Sequence, residues 1–173
     1  MNSLVKIILN IIPRSILTRL SFLLKPLIRI YLSGNKYVDP IDGSSFRKFL
    51  PYGYNNVREN ALSPSTFSLE RHRLLWLYLE NETVFFKKEL KVLHFAPEAA
   101  FLEKFKKLEN ISYDTIDLDS PLANIKADIC DLPLDDDFYD FILCNHVLEH
   151  IIDDKKAMQE LYRVLKKDGI GIF

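Results

Sequence analysis

Residues 146–150 read His-Val-Leu-Glu-His, two imidazoles and a carboxylate at the H-x-x-E-H spacing of some zinc hydrolases. Such a site needs both histidines on one helical face and a third ligand from elsewhere. Only 23 residues follow, with no further histidine among them. Downstream, Asp153, Asp154 and Glu160 belong to an adjoining helical pattern, which leaves Asp168. A metal site at His146, Glu149 and His150 is therefore a minor alternative. Two further pairs, Asp39-Pro-Ile-Asp42 and Ser63-Pro-Ser-Thr66, have the x-x spacing of a zinc ribbon. They offer no thiolate, and hydroxyls are poor zinc ligands, so a turn-rich segment without metal is expected.

Two acids sit where a nucleotide would need them. Asp117 closes an apolar run 23 residues after His94. An acid at about that distance accepts hydrogen bonds from ribose hydroxyls; the alternative is a turn or helix cap. Asp128-Ile129 pairs an acceptor for an exocyclic amine with an aliphatic cover for a ring face, although Asp is also common in such turns. The first loop, "HFAPEAA", departs from nucleotide-binding habit. No glycine occurs between Gly53 and Gly169, and a pyrophosphate needs the close approach that glycines permit. This argues against a dinucleotide dehydrogenase. Ala96, Ala99 and Ala100 still admit a compact ligand, so adenosine without phosphate fits.

The elements that would position these residues alternate. "KVLHFA" (91–96) predicts a first strand, and Pro97 opens an amphipathic helix carrying Phe101, Leu102, Phe105 and Leu108. "ISYDTIDLD" (111–119), "NIKADIC" (124–130) and "FYDFILCN" (138–145) predict three more strands. Asp153 and Asp154 start a helix. Lys166 and Lys167 suit its last turn and Gly169 its stop. "IGIF" (170–173) opens a fifth strand. Strands alternating with helices give a parallel sheet covered on both faces. Its ligands bind at the carboxyl ends of the strands.

Upstream, residues 68–80 predict a helix and 35–67 a turn-rich, ribbon-like segment. Residues 3–32 read as helices broken at Pro13 and Pro26. Charges or proline interrupt this stretch every few residues, so it does not reach the ~18 apolar residues of a membrane span. Nor does it show a signal-peptide cleavage site. Residues 1–38 hold six basic side chains and no acid, in a chain with 23 basic and 24 acidic residues. Arg14, Lys25 and Arg29 fall on roughly one face, with Leu17, Leu20, Leu24, Leu27 and Ile28 around much of the rest. Residues 1–34 thus either lie on an anionic membrane or pack on protein. Cys130 and Cys144 lack metal spacing, which fits a reduced, cytoplasmic compartment.

The segments "VLHFAPE", "YDTIDLDSP", "KADICDLPLDDDFYDFILCNHVLEHI" and "MQELYRVLKKDGIGIF" resemble the class I S-adenosylmethionine-dependent methyltransferases, over about residues 91–173. "FRKFLPYG" and "LSPSTFSLERHRLLWLYL" resemble a bacterial subset of them, some of which carry C-x-x-C pairs where this chain has Asp39/Asp42 and Ser63/Thr66. The resemblance implies an α/β fold with a Rossmann-like doubly wound sheet in residues 68–173. It implies S-adenosylmethionine as cofactor. His94, Phe95, Ala96 and Glu98 would line its methionine moiety, Asp117 its ribose, Asp128 and Ile129 its adenine, and Asn145 would close the methionine end. The catalytic residue stays unknown. The expected partner is a small-molecule, glycan-linked or lipid-linked acceptor, and no nucleic acid. Relatives continue past the fifth strand, so an open sheet edge and impaired turnover are expected here. The rival reading is a non-catalytic membrane-surface or partner-binding remnant.

Overall fold

The structure, a computed structural model, describes residues 14–53 and 56–173. The reading of residues 1–13, with the break at Pro13, lies outside them. The chain divides between Leu77 and Tyr78 into two compact units.

In the first unit, helix α1 (Arg14–Leu32) runs unbroken through Pro26, where a break was expected. Proline removes one helical hydrogen bond. Pro26 itself is exposed. Two antiparallel hairpins follow: β1 (Ser33–Val38) with β2 (Ser45–Phe46), and β3 (Leu50–Tyr52) with β4 (Arg58–Leu62). Leu32, Phe46 and Phe49 form a small core, with Ile28, Tyr37 and Leu50 packed on it.

The ribbon-spaced pairs meet in a knot of oxygen atoms. Asp39 is fully buried. Its Oδ1 accepts from the Ile41 N–H at 3.0 Å, and its Oδ2 from Thr66 Oγ1 at 2.6 Å and Ser68 Oγ at 3.3 Å. Ser65 Oγ lies within hydrogen-bond distance of both Asp39 and Asp42. Hydroxyl donors around one carboxylate thus bring the two turns together. Arg73 anchors the same region through Ser68 and the Ala61 carbonyl. Burial lowers its pKa, and the charges of Asp39 and Glu70 oppose that shift. Helix α2 (Glu70–Asn81) spans the division between the units.

The second unit is a five-stranded parallel sheet: β5 (Leu90–Phe95), β6 (Ile111–Asp117), β7 (Ile125–Lys126), β8 (Tyr139–Leu143) and β9 (Leu165–Ile172). The spatial order is β7-β6-β5-β8-β9. The chain therefore winds outward from β5 to one edge, then crosses back to β8 and the other edge. The switch point lies between β5 and β8. Helices α3 (Ala99–Phe105) and α4 (Asp154–Val164) connect strands. Central strands buried on both faces need apolar residues in both registers. In β5, Leu93 and Phe95 join the core formed with Ile142, Ala157, Leu161 and Val164. His94 instead joins Phe101, Phe105 and Tyr113.

Two boundaries differ from expectation. The third strand stops after Lys126 rather than running to Cys130. At its start, Asn124 exchanges hydrogen bonds with Thr115 through side chains and backbone. At its end, Asp128 Oδ1 accepts from the Cys130 N–H at 2.8 Å and turns the chain away. Helix α4 ends at Val164, so Lys166 and Lys167 lie in β9 and not in the last helical turn. Lys166 Nζ pairs with Asp140 on the neighbouring strand at 2.7 Å. The ladder jumps from Tyr139↔Leu165 to Phe141↔Ile170, so residues 166–169 bulge. The N-terminal cap is as expected, with Asp153 accepting from the Lys156 N–H at 3.1 Å.

Candidate functional site

A cleft opens at the carboxyl ends of β5, β6 and β7. Phe95, Ala96, Asp117, Asp128 and Ile129 line it together, five of the eight residues singled out from the sequence. Ile116, Leu118, Ala127, Val147 and Ile151 complete its walls. The expectation missed these five, yet Ile116, Leu118 and Ala127 each adjoin a predicted residue, Val147 lies within "HVLEH" and Ile151 directly follows it. The cavity is about 140 Å³, below the roughly 300–1,000 Å³ of a complete small-molecule site. It can therefore enclose one moiety of a ligand. A larger recess of about 480 Å³ lies at the opposite, amino ends of the strands and includes Asp140 and Lys166. The sheet rule favours the carboxyl side.

One oxygen of Asp117 has a structural job. Its Oδ1 accepts from the N–H groups of Asp119 at 2.9 Å and Ser120 at 2.8 Å, which shapes the turn after β6. Cap and ligand acceptor, posed as alternatives by the sequence, are thus compatible, because Oδ2 has no such duty. Asp128 also caps its turn, with Oδ1 accepting from the Cys130 N–H at 2.8 Å and the Cys130 thiol close to the same carboxylate. Ile129 is buried beside it and supplies apolar wall.

Three predicted residues do not line the cleft. His94 is fully buried, with Nδ1 2.7 Å from the Tyr113 hydroxyl and Nε2 2.6 Å from Glu98 Oε2. Burial, reinforced by Glu98, pushes the Tyr113 pKa well above its ordinary value, so the phenol keeps its proton. A protonated phenol can donate to Nδ1, in the tautomer whose single ring N–H, on Nε2, donates to Glu98. His94 thus holds Glu98 in place behind the first loop. Asn145 follows β8, and its Nδ2 is shielded from water without an acceptor among the described residues. An unmet buried donor costs about 1–3 kcal/mol, which fits a ligand acceptor at this strand end.

Two strand ends are strained. Ala96 has φ 45° and His146 φ 56°, a region in which Cβ is crowded and glycine is favoured. Such strain clusters at ligand sites. Ala96 thus holds a left-handed backbone conformation that glycine would adopt without strain. "HVLEH" forms a single 3₁₀ turn, Leu148–His150, with His146 Nδ1 3.2 Å from Glu149. The histidines do not share an α-helical face, and no group of three or more metal-competent side chains occurs among the described residues. Burial pushes the Cys144 thiol up to about 12, so it packs and is no thiolate nucleophile.

The chain is similar to other proteins over parts of its length. A demethylmenaquinone methyltransferase of Clavibacter sepedonicus is 37% identical over 51 residues, which is 30% of this chain and 21% of that protein. A Galdieria sulphuraria structure named for sarcosine dimethylglycine methyltransferase superposes with a TM-score of 0.52, at 21% identity, over 81% of this chain and 51% of that one. The cyclase SpnF superposes with a TM-score of 0.52, at 19% identity, over 77% and 53%. At these identities the two structures share the fold, and the chain spans about half of each or less of the sequence relative. The model of the family described as "Methyltransferase domain" matches residues 84–173, which takes in all five parallel strands and the whole cleft. On that match the chain belongs to the methyltransferase-domain family.

Proposed function

We propose that the cleft binds S-adenosylmethionine and that the chain takes part in methyl transfer from it to an acceptor not yet identified. The observation that carries this reading is Asp117, which holds its turn with one carboxylate oxygen and leaves the other, among the described residues, without a hydrogen bond and so able to accept from ribose hydroxyls. The donor set fits the cofactor in three further respects. Ile116, Leu118, Ile129 and Val147 give apolar faces for a purine. Asp128 offers an acceptor for its amine. Asn145 Nδ2 is a shielded donor for the amino-acid end. Bound in this way, the cofactor would supply an electrophilic methyl group on its sulfonium.

The residues of this chain would bind and orient. Asp117 fixes the ribose, the apolar walls exclude water from the purine, and His94 fixes Glu98 beside the first loop. Rate would come from aligning the acceptor atom in line with the methyl group. Among the described residues no side chain is placed as a general base. SpnF, named as a cyclase, has the same fold, so fold alone does not choose the reaction; the family match supports methyl transfer. Calorimetric titration of the 173-residue chain with S-adenosylmethionine and with S-adenosylhomocysteine tests the reading. Saturable one-to-one binding of both is the expected result. Absence of heat and of any thermal stabilisation by either compound would refute it.

A further inference from the structure

Helix α1 has two unlike sides. On one, Ile28 and Leu32 pack on the core of Phe46 and Phe49, and Lys25 Nζ lies 5.1 Å from the centre of the Phe67 ring. This side, including a lysine expected on the charged face, serves the unit itself. At 100° per residue, Leu23, Leu27, Ile30 and Tyr31 fall together on the opposite arc. Their exposures are 76, 64, 74 and 72%. Leu24 extends the stripe. An arc of this width is what a helix normally buries.

Beside the stripe is a recess of about 450 Å³. Arg29, Ser33, Ser44 and Ser45 line it together with the apolar Pro26, Ile30 and Phe46. Arg29 Nη2 donates to Ser44 Oγ at 3.1 Å, which aims a guanidinium fork and hydroxyls into one space. Arg47 lies over the Tyr31 ring at 4.5 Å, adding positive charge at the other edge. No acid occurs before Asp39, which is buried in the knot; half-buried Asp42 accepts from the Ser44 N–H beside the recess.

We propose that α1 docks on the surface of an anionic phospholipid bilayer. The Leu23–Leu27–Ile30–Tyr31 stripe enters the acyl boundary, and the Arg29 recess receives a lipid phosphate. Charge selects this occupant. A second copy on the same face would set two acid-free basic segments against each other, whereas an anionic surface complements them. Among the described residues no helix is long and apolar enough to cross a membrane, so the helix lies in the interface plane. The docking does not depend on the cofactor reading.

Flotation of the full chain with vesicles tests it. One set is phosphatidylcholine alone; the other mixes in phosphatidylglycerol. The chain is expected to float with the second set only. Leu27→Asp combined with Ile30→Asp should abolish flotation. Arg29→Gln should weaken it about fivefold, the effect of one basic residue near such a surface. Soluble glycerol phosphate should not compete, since it has no acyl layer. All three positions are exposed, and circular dichroism of each variant checks that the fold is kept. Equal flotation with both vesicle sets, flotation undiminished in the double variant, or full competition by glycerol phosphate would overturn the proposal. So would a dimer in sedimentation that the double variant dissolves while flotation never occurs, which would assign the stripe to a second copy.

Discussion

Ala96 and His146 close the carboxyl ends of two neighbouring parallel strands, β5 and β8, and both do so in left-handed backbone. The strain therefore sits on either side of the point where the sheet reverses its winding. At position 96 a Cβ costs ~1–2 kcal/mol in this conformation. Replacing it by glycine removes that cost but loosens the unfolded chain by ~0.4–1 kcal/mol. Ala96→Gly should thus leave stability unchanged or raise it by up to about 1.6 kcal/mol. Ala96→Val should lower it by roughly 2 kcal/mol, because a branched side chain suits this region least. Urea unfolding of the three proteins decides the matter. A larger loss for glycine than for valine would contradict the left-handed assignment.

His94, in the middle of the Tyr113–His94–Glu98 chain, is fully buried, so its ring nitrogens cannot turn to water instead. His94→Leu strands a phenol and a carboxylate and should cost roughly 2–4 kcal/mol. Tyr113→Phe removes one donor and should cost about 1 kcal/mol. Nitrogen chemical shifts of the imidazole provide a separate check: Nε2 should carry the proton and Nδ1 should not. The opposite tautomer would reverse the direction of the relay.

Where a ribbon would hold a metal, this chain holds a carboxylate among hydroxyls. Asp39→Ala leaves the hydroxyls of Thr66 and Ser68 and the Ile41 N–H without their acceptor, at a cost of about 3 kcal/mol. A chelator, by contrast, should leave the thermal midpoint of the unsubstituted protein unmoved. A fall in that midpoint with chelator, restored by zinc, would mean that the oxygen knot is not what joins the turns.

Glu160 and Arg163 tie the loop after the cleft to α4. Arg163 bonds Glu160, Asp136 and the carbonyls of Leu132 and Leu134. Glu160 also accepts the Leu132 N–H at 2.9 Å. The hydrogen bond from Arg163 is the chief cause that lowers the Glu160 pKa from 4.5 to about 2. A depressed carboxylate pKa stabilises the fold above the unfolded value, and the benefit fades as pH falls from there towards the folded value. The pair's contribution, on the order of 2 kcal/mol, should be whole at pH 7 and shrink between about pH 5 and pH 2. Comparing the parent with Glu160→Gln across that range should show the stability gap closing as acid is added. A gap independent of pH would remove the electrostatic account.

Much of the second unit was legible in the sequence, because its strands and helices have clear periods and its switch point follows from their alternation. Boundaries were less so. Nothing local in "NIKADIC" says that Asn124 and Asp128 will spend their side chains on backbone and shorten the strand. Lys166 and Lys167 suit a helix end by charge, yet the register with β8 and the partner Asp140 draw them into a strand. The hairpins of residues 33–62 were hidden by strands of two to six residues, too short for alternation to register. Among site residues, Asp117 was legible as an acid at a strand end, and its capping of the turn through a single oxygen was not. His94 reads as a loop-lining residue by position, but alternation along β5 turns it into the opposite layer. Strain at Ala96 leaves no trace in composition; its nearest signal was the missing glycine.

The central claim rests on the unassigned oxygen of Asp117, and Asp117→Asn isolates it. Asparagine keeps a carbonyl oxygen for the Asp119 and Ser120 N–H groups, so the turn survives, while the other position becomes a donor that cannot accept from a ribose hydroxyl. Calorimetry with S-adenosylmethionine should show affinity weakened by one to two decades, the worth of a lost charged hydrogen bond at roughly 1.5–3 kcal/mol. Ser120→Ala, whose backbone N–H is unchanged, should bind nearly as the parent does. Equal affinity in the Asp117→Asn and Ser120→Ala proteins, with both folds intact, would contradict the assignment of this cleft to the cofactor.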